Sequence, residues 1–189
     1  MINYSAWIRG LLLFGFQVIL LLQCCEGISA TSEILFKCPF LWDTCGMFNR
    51  PDSRALWRRE YLSVGGRNGY AMVVRGNAAN NYFARLQTPF LSTNDATMGC
   101  MRFRYFIDGR TPASLAVIKQ GFVTEYIYTN ARKTTDHWEN AEIDFKILGD
   151  QTMFYFEADT KVQNYGDSTV AFADLRISTN SCENNHKYG

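Results

Sequence analysis

Histidine is nearly absent from this chain: there are two in 189 residues, and one of them, His186, stands in the last few positions. No CxxC pair accompanies them, so the usual ligand spacings of a zinc site are missing. No serine or free thiol sits in a nucleophile motif, which removes the Ser–His and Cys–His arrangements of covalent catalysis. There is no run of lysine and arginine, and the formal net charge is only +1. That balance argues against nucleic acid or an anionic membrane as the main partner. No internal repeat, linker or sustained 3.6-residue apolar stripe is present. After residue 27 there is also no Asn-x-Ser/Thr triplet, so ordinary N-glycosylation is not expected.

The one long apolar run is LLLFGFQVILLL, Leu11 to Leu22. It is too short for a hydrocarbon core that needs about 20 residues, but it suits the h-region of a signal peptide. The segment QCCEGISA follows, and cleavage is expected after Gly27, with Ser29 or Ala30 as the next choices, giving a signal peptide over 1–27. Nothing later resembles a spanning helix or a lipid-anchor tail, so the mature chain is expected to be soluble. Removing 1–27 leaves about 160 residues, enough for one domain with a sizeable core. It also removes Cys24 and Cys25. Cys38, Cys45, Cys100 and Cys182 remain, an even number that reads as two disulfides with three possible connectivities. Spacing favours Cys38 with Cys45, around a short loop, and Cys100 with Cys182. On the chain-entropy model the longer bridge stabilises by about 4 kcal/mol or more.

Period-two alternation runs through the mature chain, as half-buried strands require. Tyr70, Met72 and Val74 alternate with Ala71, Val73 and Arg75. Met101, Phe103, Tyr105 and Ile107 form an apolar face opposite Arg102 and Arg104. Leu115 to Ile118 reads as a short apolar strand, and Ala141, Ile143, Phe145 and Ile147 oppose Glu142, Asp144 and Lys146. Phe154, Phe156 and Ala158 share one parity in the next run. In the last run, Ala171, Ala173, Leu175 and Ile177 are expected on one face, with Phe172, Asp174 and Arg176 on the other. Turn clusters separate these runs: GGRNG at 65–69, GNAANN at 76–81, STND at 92–95, DGR at 108–110 and LGD at 148–150. Many short strands with regular turns indicate an all-β sandwich or barrel. Trp57 and Trp138 are expected core anchors because their area makes exposure costly, and Phe103, Tyr105, Phe156 and Leu175 join them on the apolar faces. The tail over 183–189 is expected to be disordered.

Several pieces then fall in a particular order: FKCPF, CG at Cys45–Gly46, ALWRRE, NGYAMVV, ARLQTPFL, CMRFRYFIDG, ASLAVI, HWENAEIDF, FYFEA and VAFADLRI ahead of Cys182. In this order, with four cysteines at matching places, the chain resembles the MAM domain, an extracellular module of meprin, an adhesion protein and receptor protein tyrosine phosphatases. The resemblance covers Phe36 to Cys182. It implies a two-sheet antiparallel jelly-roll β-sandwich over residues 33–182 and pairing of the first two and last two cysteines. It further implies extracellular protein contacts, in some relatives with copies of themselves. Departures are visible. Leu41 stands where an acidic residue is usual after the first cysteine motif, Ala173–Asp174 replaces a paired Asp, and Gly166–Asp167 comes two residues early. The surviving acids Asp43, Asp167 and Asp174 are too few for a hard cation wanting six or more oxygens, so no metal and no cofactor is expected.

The remaining chemical lead is Glu142 with Asp144, two carboxylates on the polar face of one strand and about 7 Å apart. Glycoside hydrolysis needs a second, opposed acid, and Phe145, Lys146 and Ile147 occupy the places where it should lie. His137 reads as a loop residue before a strand. The sequence therefore indicates a secreted, non-catalytic interaction or adhesion module that binds an extracellular protein, with a second copy of itself as the simplest partner. The alternative is carbohydrate binding through exposed aromatics such as Trp42, Tyr126 and Tyr128. A glycoside hydrolase built on Glu142 ranks third.

Overall fold

The computed structural model describes residues 32–76, 83–109, 113–131, 137–149, 151–160 and 168–183. The signal segment, Asp167, most of the 76–81 turn cluster and the tail beyond Glu183 lie outside the described residues. The compact unit that carries the fold is Ser32–Gly189.

Its described residues form β-strands in two antiparallel sheets. The strands are β1 (Ile34–Cys38), β2 (Phe48–Asn49), β3 (Arg58–Val64), β4 (Arg67–Arg75), β5 (Phe83–Gln87), β6 (Ala96–Gly109), β7 (Ala113–Gln120), β8 (Thr124–Ala131), β9 (Glu139–Leu148), β10 (Met153–Thr160) and β11 (Ser168–Thr179). One sheet has the order β3-β4-β11-β6-β9, with β1 also on β11; the other runs β2-β5-β10-β7-β8. The open, two-layer arrangement is a jelly-roll sandwich, and alternation places one face of each sheet inward.

Aromatic rings fill the space between the sheets. Phe172 is stacked on Phe156 at 4.1 Å and meets Trp57 and Phe40 edge-on at 5.1 and 5.4 Å. Phe103 joins this group through Phe156 at 5.3 Å. Trp57, Phe103, Tyr105, Phe156 and Leu175 are buried in this layer. The Trp57 indole N–H is satisfied by the carbonyls of Ala84 and Phe156 at 3.1 and 3.0 Å, as a buried donor must be. The Tyr105 hydroxyl donates to Glu139 Oε2 at 2.5 Å and accepts from Asn130 Nδ2 at 2.7 Å. Burial, then the bond to Glu139, pushes its pKa well above the ordinary phenol range.

Strand β11 departs from the expected alternation. Phe172, Leu175 and Ile177 all enter the inter-sheet core, whereas Ala171 and Ala173 lie in a second cluster on the outer side. A β-bulge between Ala173 and Arg176 shifts the register against β6, and Asp174 takes φ +56° there. The extra residue reverses parity. At this bulge the strand also changes neighbour, pairing β4 over Thr169–Phe172 and β1 over Leu175–Ser178. The face assigned to Phe172 from strict period-two alternation is thus corrected.

The second cluster is Leu62, Ala71, Val73, Phe106, Trp138, Ala171 and Ala173. Trp138 is buried here and not between the sheets. It stacks on Phe106 at 5.7 Å and donates to the Val64 carbonyl at 2.9 Å. The last residue of β3 supplies that carbonyl, and the turn that follows is Gly65–Gly66, with Arg67 to Gly69 already in β4. Gly65 has φ +57°, and a Cβ there would lie 3.0 Å from Phe106 and 3.1 Å from Trp138. A side chain would be both strained and obstructed.

Candidate functional site: a bridged loop and an open sheet face

The carboxylates that suggested chemistry have structural partners. Arg102 and Glu142 face each other in the β6–β9 register, with Arg102 Nε 3.2 Å from Glu142 Oε1. Asp144 Oδ1 accepts the Cys182 N–H at 2.6 Å, and Arg102 Nη2 donates to the Cys182 carbonyl at 2.7 Å. The polar side of β9 thereby clamps the chain end that carries the Cys100–Cys182 disulfide. Among the described residues, the one grouping of potential metal ligands is Cys100, Asp144 and Cys182; its two sulfurs are bonded to each other and offer no thiolate. Asp43 accepts the Cys45 N–H at 2.7 Å, and Asp174 lies 3.3 Å from Arg67 Nη2. His137 is exposed just before β9.

Two surface regions gather apolar side chains with no such internal explanation. The first is the loop closed by Cys38–Cys45, whose Cα atoms are 5.8 Å apart. Phe40 and Cys45 have φ of 57° and 53°, a region that disfavours side chains unless the surroundings impose it. Those surroundings are present. The Thr44 hydroxyl donates to the Met47 carbonyl at 2.8 Å, and the Met47 N–H returns to the Thr44 carbonyl at 2.9 Å. From β3, Arg59 reaches back with Nε on the Phe40 carbonyl at 2.8 Å and Nη2 on the Leu41 carbonyl at 2.5 Å. Phe40 is thereby driven into the core against Phe172, while its neighbours Leu41 and Trp42 are 51% and 88% exposed. The Arg59 guanidinium lies 3.7 Å from the Tyr70 ring centroid, and Tyr70 meets the exposed Tyr61 edge-on at 5.5 Å. Leu41, Tyr70 and Tyr61 are thus linked through Arg59 at the β3 edge, next to the exposed Trp42.

The second region is the outer face of the five-stranded sheet. One row crosses all its strands: Phe48 pairs Gln87, Gln87 pairs Tyr155, Tyr155 pairs Ile118, and Ile118 pairs Tyr126. Four strand spacings separate the end residues by about 19 Å. Phe48 and Tyr126 are 49% and 63% exposed, while Ile118 and Tyr155 between them are buried. The Tyr155 hydroxyl donates to Gln120 Oε1 and accepts from Arg50 Nη1 at 3.1 Å. Arg50 also holds Asp52 through bonds of 2.8 and 3.1 Å. Hydrogen bonds to Asp52 and then Tyr155 raise the Arg50 pKa, and the guanidinium holds the Asp52 carboxyl below its ordinary range. One row along, Arg85 pairs Glu157 at 2.5 Å.

Tyr126 and Tyr128 do not share this face. A register shift between Val117 and Ile118 leaves Ile127 unpaired between them, and Tyr128 turns inward onto Phe103 and Tyr105, 5.7 and 6.0 Å away. The expectation of paired sugar-stacking tyrosines on β8 is corrected accordingly. Phe48, Tyr61 and Tyr155 were not singled out from the sequence. The two-residue β2 is too short for a periodic signal, and Tyr61 lies on the polar parity of RREYLSV.

A family model and solved structures agree with this architecture. The family model described as MAM domain, meprin/A5/mu, matches residues 38–183. No curated protein matches the chain in sequence. Solved structures share the fold. The CBM22-1–GH10 modules of endo-1,4-beta-D-xylanase 10B from Clostridium thermocellum, complexed with xylohexaose, superpose with a TM-score of 0.55 at 12% identity, over 79% of this chain and 29% of that one. The K1 cleaved adhesin domain of Lys-gingipain from Porphyromonas gingivalis W83 gives 0.55 at 8% identity, over 80% and 99%. A CBM22-1 xylan-binding domain from Paenibacillus barcinonensis gives 0.53 at 13% identity, over 80% and 97%. The family model covers most of the chain, with both disulfides of the sandwich inside its bounds: this chain belongs to the MAM family, an extracellular interaction domain.

Proposed function

We propose that the chain is a secreted, non-catalytic adhesion or recognition module that binds an extracellular protein, with Leu41 and Trp42 leading the contact. The signal peptide would leave after Gly27, and residues 33–182 would act as the binding domain ahead of a short tail. What carries the reading is the bridged loop. A disulfide, an Asp43 cap and two carbonyl bonds from Arg59 hold a short segment in which Trp42 points into water. A rigid anchor loses little conformational freedom on binding, and tryptophan is the residue type most enriched at interface hot spots. Burying a ring of about 200 Å² at about 25 cal/mol per Å² yields a gross gain of roughly 5 kcal/mol. Full-length protein and its Trp42→Ala variant, immobilised in parallel, are exposed to extracellular fluid. Proteins held by the first and lost by the second support the reading; identical sets on both would defeat it. A second copy of the chain is the simplest partner, since a net charge of +1 offers little repulsion. Sedimentation over a concentration series tests that version, and a strict monomer leaves a heterologous protein.

The second reading is carbohydrate binding. It is favoured by the exposed Tyr126 and Phe48 on one sheet face beside amide and guanidinium groups. Two of the structures similar in fold are described as xylan-binding or complexed with xylohexaose.

A further inference from the structure

We infer that the outer face of the five-stranded sheet binds an uncharged oligosaccharide, laid across the strands between Phe48 and Tyr126. The inference rests on the carbohydrate reading and assigns it a place and a ligand class. A pyranose ring has C–H groups on its flat faces and hydroxyls around its rim, so it is held by an aromatic platform with hydrogen-bonding groups alongside. Phe48 and Tyr126 stand exposed at opposite ends of one cross-strand row. Between them lie the Gln87 side chain, the Gln120 amide and the Arg50 guanidinium around the Tyr155 hydroxyl. A separation of about 19 Å accommodates several sugar units in an extended chain, which gives both end rings a partner at once.

The charges select against an ionic ligand. Arg50 is committed to Asp52, Arg85 to Glu157, and Lys119, at the β7 end, to Glu125 at 2.5 Å and to the Lys146 carbonyl at 2.7 Å. Among the described residues, these three cations each already have a carboxylate, so a sulfated or uronic chain that engaged one of them would have to displace an internal ion pair. A neutral polyhydroxyl chain needs only the remaining N–H donors and amide groups, leaving the pairs intact. The Arg50 guanidinium also lies over the Tyr155 ring, 5.2 Å from its centroid, and Tyr155 and Ile118 are both buried. The face is distinct from the Trp42 loop: no residue of the row belongs to it.

Affinity electrophoresis and titration calorimetry of the full-length secreted chain test the inference, with neutral hexamers of xylose, glucose, mannose and N-acetylglucosamine as probes and heparin as the polyanion. At least one neutral hexamer should bind, with little change on raising salt, because no net charge is neutralised. Tyr126→Ala and Phe48→Ala should each weaken binding roughly tenfold, the loss of one aromatic contact. Tyr126→Phe should retain most of it, and Arg176→Ala, on an exposed position of the other sheet, should leave it unchanged. Both end residues are exposed, so these variants are expected to fold, and melting curves matching the parent check that point. Failure of all neutral hexamers to bind overturns the inference together with the carbohydrate reading. Neutral binding that survives both alanine variants overturns the site alone and leaves that reading standing. Binding confined to heparin and abolished by salt overturns the ligand class.

Discussion

Replacing Phe172 by leucine tests the bulge in β11 directly. Strict alternation places Phe172 beside Asp174 and Arg176 on a part-covered face, where a substitution costs within about 0.5 kcal/mol. The structure instead encloses the ring completely, with Phe156 stacked at 4.1 Å and Trp57, Phe40 and Phe103 edge-on at 5.1, 5.4 and 6.3 Å. Truncation of such a ring to alanine costs about 3–5 kcal/mol, a large share of a domain stability of about 5–15 kcal/mol. Leucine is the more informative change because the protein survives it. It removes part of the volume and all four ring contacts, and aromatic pairs contribute about 0.5–1.5 kcal/mol beyond area. Allowing for repacking, we expect a loss of roughly 2 kcal/mol. Urea unfolding with the disulfides intact, followed by tryptophan fluorescence and far-ultraviolet dichroism, reads this as a lower midpoint at unchanged slope. Arg176→Ala on the same strand, exposed beyond the bulge, should shift the midpoint by less than about 0.5 kcal/mol. Equal and small losses for both would refute the parity change and with it the packing of this sheet.

Two further outcomes follow from particular contacts, and a third from the signal segment. Gly99 lies opposite Phe145 in the β6–β9 register, and a Cβ there would fall 2.5 Å from the ring; Gly99→Ala should therefore cost about 1–3 kcal/mol in the same urea assay, and a neutral result would show that Phe145 moves freely. The Tyr105 hydroxyl is more acidic unfolded than folded, so between pH about 10 and the higher folded value the unfolded chain has lost a proton that the folded chain keeps. Stability is full below about pH 10 and should fall above it by up to about 1.4 kcal/mol per pH unit from this group; Tyr105→Phe should remove that part of the slope, and an unchanged slope would discount the burial of the phenol. Mass spectrometry of secreted protein should find an N-terminus between Ile28 and Thr31, and a retained Cys24 would overturn the two-bridge count.

Legibility in the sequence followed how local each cause is. The inward faces of β6, β9 and β10 could be read from alternation, because each pairs in regular register over the residues that fill the core. The Cys38–Cys45 bridge could be read from spacing, since seven residues leave little choice. Parity in β11 and β8 could not. Each contains a register shift, and nothing in VAFADLRI or TEYIYTNA marks which residue is the extra one; the bulge in β11 is dictated by a change of neighbouring strand, a tertiary fact. Trp138 shows the same limit. Its size announced burial, but the choice between the inter-sheet space and the outer cluster depends on Val64, at the end of β3, and Gly65, in the turn after it, more than 70 residues earlier.

The two proposed surfaces follow from one feature of the sandwich. Its core is closed by aromatic contacts and two disulfides without help from Trp42, Tyr126 or Phe48, so these residues are free of a folding duty. Their surroundings are nonetheless ordered: Arg59 spends its guanidinium on two loop carbonyls beneath Leu41, and Arg50 spends its own on Asp52 and Tyr155 beside the sheet row. Arginine suits this use because its planar fork engages two acceptors in fixed geometry. In both places a cation is consumed in holding the surface still, not in offering charge to a ligand. The contact that remains is apolar and aromatic, with hydrogen bonds at its margin. Association through either surface should therefore resist salt, and a steep loss of binding as salt rises would mean that Arg59 or Arg50 leaves its internal partners to meet the ligand.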